Sequence, residues 1–577
     1  MKQVFLALLI IFNSALLSGQ QLTSQDYTKK EVYITMRDSV RLFTTIYTPK
    51  DTTIDYPALV SRTTYSCRPY GEEIIPGNIM YNPDLVAKGY IFIFQDVRGR
   101  WMSEGVFENT KPPYSYWGEG TDEVTDAWDT FDWIVDNVKH FNGNIGVYGN
   151  SYLGWSTLTA AVANHPTVKC ILAMSPVTDF YFEDFTRYGL VAINYAPVIN
   201  AFGVMKDYPT DKQWYNISDK FILDKKTNKT VDYYRYFLDL LTLKNIEKDM
   251  IDTANVFWQN LMEHPDQDDY RSRHNWLNYL ATNINAHIMI AGGWNDEQNL
   301  YGILNSYRIL SEYNPMSNVQ LVMGPWAHSH PKSRDYMYYL GDVFYGYDLA
   351  KKYQQEIQVP YFEYYLKGKG KKLDFKLALF DTGTKKWLKY SDDVLKFGYP
   401  DKTFYLDYQG TLSSEMGNMD SSRMYISDPL HPVPFIEERD FHYMAPKYYM
   451  TDDQRFASKR KDVLTWISEP LERDFEVLGK PKAYIVFSTD HQDADIYVKL
   501  IDQYPDTRMP EKEDREGVDY KGYQQLVRMG YIRGRYRESF SEPIAFEPNK
   551  ATQVDVPMLE VNHTFKKGHR IVIQIQS

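Results

Sequence analysis

Gly149-Asn150-Ser151-Tyr152-Leu153-Gly154 sets a serine between two glycines, with the apolar run Ile145-Gly146-Val147-Tyr148 before it and the small-residue run Ser156 to Ala163 after it. The pattern reads as a strand, a sharp turn and a tightly packed helix, a geometry that holds a hydroxyl out for nucleophilic attack. Glycine suits positions 149 and 154, because a missing Cβ permits both the turn and a close approach of helix to strand. Serine is a weak nucleophile alone, so the chemistry also needs a base and a group that orients it. His328 follows the apolar run Val319-Gln320-Leu321-Val322-Met323, and Asp296 follows His287-Ile288-Met289-Ile290-Ala291. Both stand at carboxyl ends of candidate strands, where open α/β sheets build their sites. Taken singly, Asp296 reads as a helix cap and His328 as a polar loop residue. Three candidates in the order serine, acid, histidine instead favour acyl transfer, with His328 as general base then acid and Asp296 fixing its tautomer. His328 and His330 form a His-x-His pair without a third ligand cluster, so no metal is called for, and no organic cofactor either.

These groups need a frame. Glu31 to Met36 and Val40 to Tyr47 flank Arg37-Asp38-Ser39 as a β-hairpin, while Ala58-Leu59-Val60 and Tyr90 to Phe94 read as buried parallel strands. Val124 to Ile134 has helical spacing, and alternation of strands with helices implies an α/β core. From Asp179 to Asn285 the chain turns to aromatic and charged helical stretches, including Trp214, Tyr233, Tyr234, Phe237, Trp258 and Trp276, read here as a cap inserted into the core. Past residue 370, short alternating runs such as Lys482 to Phe487 and Asp495 to Ile501 predict a β jelly-roll. The expected division is a signal peptide at 1–20, core at 25–178, helical cap at 179–285, core again at 286–370 and a jelly-roll sandwich at 371–577. The chain stops within the strand-like run Ile571 to Ser577, which reads as a truncated last domain.

Composition narrows the function classes. A length of 577 residues implies two or three domains, and a net charge of -12 gives a phosphate backbone nothing to bind, so nucleic acid is not an expected partner. The charge sits more easily with a small neutral or cationic substrate. Lys2, the apolar stretch Val4 to Leu17 and Ser18-Gly19 read as a secretory leader, too short to span a bilayer. The mature chain is therefore expected to be secreted or periplasmic, with no stable membrane span. Cys67 and Cys170 are the only cysteines, which excludes a disulfide scaffold and leaves their pairing open. The 49 tyrosines suit either a binding cleft or the packing of sheets. Oligomeric state is not legible.

The elbow, together with Gln95-Asp96-Val97-Arg98-Gly99-Arg100, Gly324-Pro325-Trp326-Ala327-His328-Ser329 and Ser468-Glu469-Pro470-Leu471, resembles the secreted acyl-esterase family of cocaine esterase, α-amino acid ester hydrolases and Xaa-Pro dipeptidyl peptidases. The resemblance runs from about residue 31 to the end. It implies an α/β-hydrolase core with an inserted helical cap and a C-terminal jelly roll, and a Ser151-His328-Asp296 triad. It also implies an oxyanion hole from the Tyr65 hydroxyl and the Tyr152 amide, with Thr64 standing where the family usually has proline. Asp96, Arg98 and Arg100 read as a structural ion-pair loop. In α-amino acid ester hydrolases three carboxylates bind the substrate ammonium; the matching positions here are Asp184, Gln298 and Asn299, so one carboxylate replaces three. A buried ammonium wants compensating charge, so an ester or amide substrate without a required α-amine is expected. A shift of register would let Glu297 substitute for a missing carboxylate, although its neighbouring position faces elsewhere. The implied activity is acyl-ester or amide hydrolysis through an acyl-enzyme on a small ester, amide or short peptide. The rivals are an Xaa-Pro dipeptidyl-peptidase and a noncatalytic surface or glycan-binding protein on a hydrolase scaffold.

Overall fold

The computed structural model describes residues 22–216, 233–248, 250–315, 319–397, 400–417, 421–437 and 447–577. The leader expected at 1–20 lies outside the described residues, as does the stretch 217–232 of the cap.

A ten-stranded mixed sheet carries the first part of the chain. Its strands are β1 (Tyr27–Thr35), β2 (Arg41–Pro49), β3 (Tyr56–Thr63), β4 (Ile91–Asp96), β5 (Phe141–Asn150), β6 (Val168–Met174), β7 (His287–Gly293), β8 (Val319–Gly324), β9 (Leu377–Asp381) and β10 (Lys386–Tyr390), in the spatial order β1-β2-β4-β3-β5-β6-β7-β8-β9-β10. From β4 across to β9 neighbours run parallel, and the edges close with antiparallel pairs. Central strands are buried on both faces, which is why their sequences are apolar runs rather than alternations. In β3, Ala58 and Val60 enter the core on one face while Leu59 enters the core on the other; in β8, Leu321 and Met323 oppose Val322 in the same way.

Helices cover both faces. On one lie α1 (Glu123–Asn137), α2 (Tyr152–Ala163) and α3 (Leu300–Tyr313); on the other lies α4 (Val359–Lys367), with Tyr361 and Phe362 buried against the strands. The start of α1 is set by a capping box. Asp122 accepts from the amides of Val124 at 2.9 Å and Thr125 at 3.0 Å, and the Thr125 hydroxyl accepts from the Asp122 amide at 2.9 Å. Val124, Ala127, Phe131 and Ile134 then fall on one stripe facing the sheet. Phe131 is fully buried there, so Phe131→Ala would cost about 3–5 kcal/mol. α2 is buried nearly all round, which its small residues Ala160, Ala161 and Ser156 permit.

Between β6 and β7 come short helices, among them Val256–Glu263 and Asp269–His274, and a two-stranded ribbon of Thr186–Arg187 with Leu190–Val191. Phe180, Phe185, Phe202 and Phe257 pack there in edge-to-face and tilted pairs, with the Phe185 centroid 5.1 Å from Phe257 and 5.4 Å from Phe202. Such pairs add about 0.5–1.5 kcal/mol each beyond area burial. The C-terminal part is β-rich and antiparallel. Leu464–Ile467, Arg570–Gln576, Asp495–Gln503 and Gln524–Arg533 form one sheet in that order, and two further strand pairs share a separate core with it around Val498, Ile532, Val554 and Phe565. No helix among the described residues is long and apolar enough to cross a membrane.

Candidate active site

Ser151 stands between β5 and α2 with φ +63° and ψ -125°, a backbone conformation that a side-chain-bearing residue adopts only when its surroundings hold it there. Its amide donates to the Met174 carbonyl at 2.9 Å, tying the turn to β6. The flanking glycines have steric reasons. A Cβ on Gly149 would sit 2.1 Å from the Leu153 carbonyl oxygen, and one on Gly154 would sit 2.7 Å from the Met174 carbonyl oxygen. Tyr152 begins α2, where the first amides have no intrahelical acceptor, so its N–H is left without an acceptor within the helix beside Ser151.

The loops after β7 and β8 are joined to each other. The Trp294 amide donates to the Gly324 carbonyl at 2.8 Å, the Asn295 amide to the Trp326 carbonyl at 3.1 Å and the Asn295 side chain to the Pro325 carbonyl at 2.9 Å. Gly293 and Gly324 allow this contact, since a Cβ on either would collide with Trp326. The result brings His328 Nδ1 to 3.1 Å from both carboxylate oxygens of Asp296. Asp296 Oδ1 also accepts from the amides of Gln298 at 3.0 Å and Asn299 at 2.9 Å. Burial opposes ionisation of Asp296, but the His328 charge and these hydrogen bonds outweigh it and hold the carboxyl below the usual range. The Asn150 side chain donates to Ser329 Oγ at 2.8 Å, linking the serine turn to the histidine loop.

Ser151 and His328 line one cleft of about 630 Å³, together with Tyr65, Tyr152, Asp184 and Gln298. Tyr65 is well exposed to it, and its ring stands edge-on to Tyr152 and Phe202 at 6.5 and 6.3 Å. Its backbone is clamped on both sides, with the Tyr65 amide donating to Thr63 Oγ1 at 2.9 Å and the Thr64 carbonyl accepting from the Trp101 indole at 2.8 Å. Asp184, at φ +55°, accepts from Asn299 Nδ2 at 2.7 Å. Burial pushes its carboxyl up to about 6 against the opposing influence of His328 and Asn299.

Of the three substrate-binding candidates, Asp184 and Gln298 line the cleft and Asn299 does not. It is wholly buried at the N-terminus of α3, where its amide nitrogen reaches Glu183 at 3.2 Å as well as Asp184. Asp96, Arg98 and Arg100 do not pair with one another. Arg98 pairs with Asp126 at 2.6 Å and Asp38 at 2.8 Å, Asp96 accepts from the Cys67 amide and the Tyr70 hydroxyl, and Arg100 lies over Trp214 and donates to the Ala201 carbonyl. Both cysteines are free and buried.

Other contacts of the site carry no sequence signal. Glu297 accepts from the His328 amide at 3.0 Å, and Lys447 donates to the His328 carbonyl at 2.7 Å. Glu183 accepts from the Asp179 amide at 2.9 Å and the Gly302 amide at 3.1 Å, as well as from Thr178, pinning the cap entrance to α3. From the β-rich part, buried Arg528 donates to the carbonyls of Trp294 at 2.8 Å and Glu560 at 3.0 Å, directly behind the Asp296 loop. Arg187 donates to the Glu297 carbonyl at 2.5 Å and the Tyr531 hydroxyl at 3.1 Å.

A mostly parallel sheet that presents a strained serine turn at its carboxyl edge, capped by helices and followed by a β-rich domain, defines an α/β-hydrolase of the serine type. Residues 38–330 match the family model of the X-Pro dipeptidyl-peptidases (S15 family), and residues 363–577 match that of the X-Pro dipeptidyl-peptidase C-terminal non-catalytic domain. The chain belongs to this family and is a serine hydrolase. It is 26% identical to the cocaine esterase of Rhodococcus sp. strain MB1 Bresler over 95% of this chain and 90% of that protein. Two solved structures superpose with a TM-score of 0.84 over 96% of this chain and 89% of theirs. One is an aminopeptidase from a marine sediment archaeon, Thaumarchaeota archaeon, 29% identical, and the other an α-amino acid ester hydrolase, 30% identical.

Proposed function

We propose that the protein hydrolyses acyl esters or amides through an acyl-enzyme on Ser151. The observation that carries the reading is the positive-φ serine turn sharing one cleft with His328, whose other face is fixed by Asp296. Ser151 Oγ attacks the acyl carbon as His328 Nε2 removes its proton, while Asp296 keeps the Nδ1 proton in place and balances the imidazolium. Charge developing on the acyl oxygen meets the Tyr65 hydroxyl and the Tyr152 amide, each donor typically contributing about 2.7–4 kcal/mol to the transition state. His328 then protonates the leaving group. A water, deprotonated by His328, releases the acid and restores Ser151.

Among the described residues the cleft presents one carboxylate, Asp184, together with the neutral amide of Gln298, so a free α-amine on the acyl part is not required. The Asn299 amide supports this reading from behind, since its hydrogen bond occupies Asp184. The leader at residues 1–20 supports export, which N-terminal sequencing of the protein recovered from culture supernatant or periplasm checks.

The test is labelling with a fluorophosphonate, mapped by peptide, beside parallel assays of aryl esters, α-amino aryl esters and Xaa-Pro anilides. Labelling confined to Ser151, abolished in Ser151→Ala, with ester turnover exceeding Xaa-Pro turnover, supports the proposal. Preferential release of Xaa-Pro dipeptides would replace it with the peptidase reading, and folded protein without a reactive serine would leave a noncatalytic binding protein.

A further inference from the structure

The net charge of -12 describes the whole surface, but a substrate meets the charges that line the cleft. Those charges have the opposite sign. Among the described residues lining it, Arg68, Lys332 and Lys447 are cationic and Asp184 is the one carboxylate. Asp184 is buried and already accepts the Asn299 amide, so part of its hydrogen-bonding capacity is met inside the protein. Lys332 is exposed, and its ammonium has no ion-pair or hydrogen-bond partner among the described residues. Arg68 is spent in part on the Asp211 carbonyl and the face of Trp101. Lys447 is held by the His328 carbonyl, with Glu297 at 3.6 Å.

Position decides which end of a substrate these ammonium groups address. His328 delivers the proton to the departing atom, so the space beyond its ring receives the leaving group. Lys447 is fastened to the His328 backbone, and Lys332, four residues after His328, ends the short turn His330–Lys332. Both cations therefore belong to the His328 side of the cleft lining, whereas Asp184 comes from the segment between β6 and β7.

We infer that the leaving group of the natural substrate carries an anion, a carboxylate-bearing alcohol or amine, recognised by Lys332 with Lys447 beside it. The inference rests on the hydrolase reading above. In the reaction the bond formed joins Ser151 Oγ to the acyl carbon, and the bond broken frees the anionic alcohol or amine. The proton taken from Ser151 leaves on that group, and water then releases the acid.

Three acetate esters of one shape test this: 3-acetoxybenzoate, 3-acetoxybenzamide and 3-acetoxy-N,N,N-trimethylanilinium. The trimethylanilinium ester has the most acidic phenol, so a preference for the benzoate runs against intrinsic reactivity. Wild-type kcat/KM is expected to favour benzoate over benzamide by about fivefold in about 20 mM salt, with the ratio falling toward one near about 0.5 M salt. In Lys332→Gln the low-salt ratio should fall about threefold, and in Lys332→Glu it should drop below one as the trimethylanilinium ester gains. The ratio isolates charge recognition from any general loss of activity through the His328 loop. A protein labelled at Ser151 that hydrolyses the benzamide but shows no benzoate preference, or an unchanged ratio in both variants, overturns the inference alone. Absence of both labelling and turnover overturns it together with the hydrolase reading.

Discussion

Asp296→Asn keeps the shape of the side chain and changes what it offers to His328. Oδ1 of Asp296 accepts two backbone amides, from Gln298 at 3.0 Å and Asn299 at 2.9 Å, so an asparagine must place its carbonyl oxygen there. Its NH₂ then takes the position of Oδ2, 3.1 Å from His328 Nδ1. Two donors face each other unless the imidazole moves its proton to Nε2, the nitrogen that has to receive the Ser151 proton. The variant also leaves the imidazolium without a counter-charge in a site where both side chains are buried. The same exchange in a serine-protease triad costs about 10⁴ in kcat, equal to about 5 kcal/mol of barrier, and this geometry calls for a loss of that order. Turnover of an aryl acetate near neutral pH, with active sites counted by fluorophosphonate, measures it, and a thermal melt verifies that the fold survives. A fall of less than about tenfold in folded protein would refute the tautomer argument.

Tyr65→Phe keeps the ring against Tyr152 and Phe202 and removes only the hydroxyl; kcat should fall about 10²–10³-fold with KM little changed, and an effect confined to KM would remove Tyr65 from the oxyanion hole. Asp184, raised to about 6 by burial, holds a proton in the folded state that the unfolded chain has lost above about pH 4, so the stability tied to it is full below that value and lost as pH rises through about 6. Asp184→Asn removes this slope, and its Tm relative to wild type should improve by about 2 °C between pH 4 and pH 7.5; a difference that ignores pH counts against the shift. In Gly154→Ala the new Cβ meets the Met174 carbonyl oxygen at 2.7 Å and Pro176 Cα at 2.8 Å, both backbone. The helix must back away from β6 at a cost of about 1–3 kcal/mol, read as a lower Tm and slower labelling of Ser151, and a native Tm would show that the packing is looser than this.

The parallel strands were legible because strands buried on both faces are written as apolar runs, and a residue just past such a run stands at a sheet edge. That rule brings Ser151, Asp296 and His328 to one edge without any knowledge of the loops between them. It does not say which way a side chain points once the chain leaves the strand. Gln298 and Asn299 are adjacent in sequence, yet one lines the cleft and the other is wholly buried with its amide on Glu183 and Asp184. Glu297 and Lys447 were illegible for a different reason. Each acts on the His328 backbone, at separations of 31 and 119 residues, and no local pattern of charge or polarity records a contact that tertiary packing makes. The structural ion pairs expected around Asp96, Arg98 and Arg100 form at Arg98, but its partners, from a hairpin turn and from α1, are not legible from the loop itself.

Arg528 bears on how portable this hydrolase is. One guanidinium, rooted in the β-rich domain, holds the carbonyl two residues before Asp296. The boundary that a family model draws between a catalytic part and a non-catalytic part therefore runs through the support of the acid loop. An excised first part would not be a smaller edition of the enzyme, because the loop would lose the donor that fixes it. Chimaeras that trade C-terminal domains among relatives must move the Trp294 loop and its arginine together, as one heritable unit. The two parts can drift in sequence, but at this contact they have to drift in step.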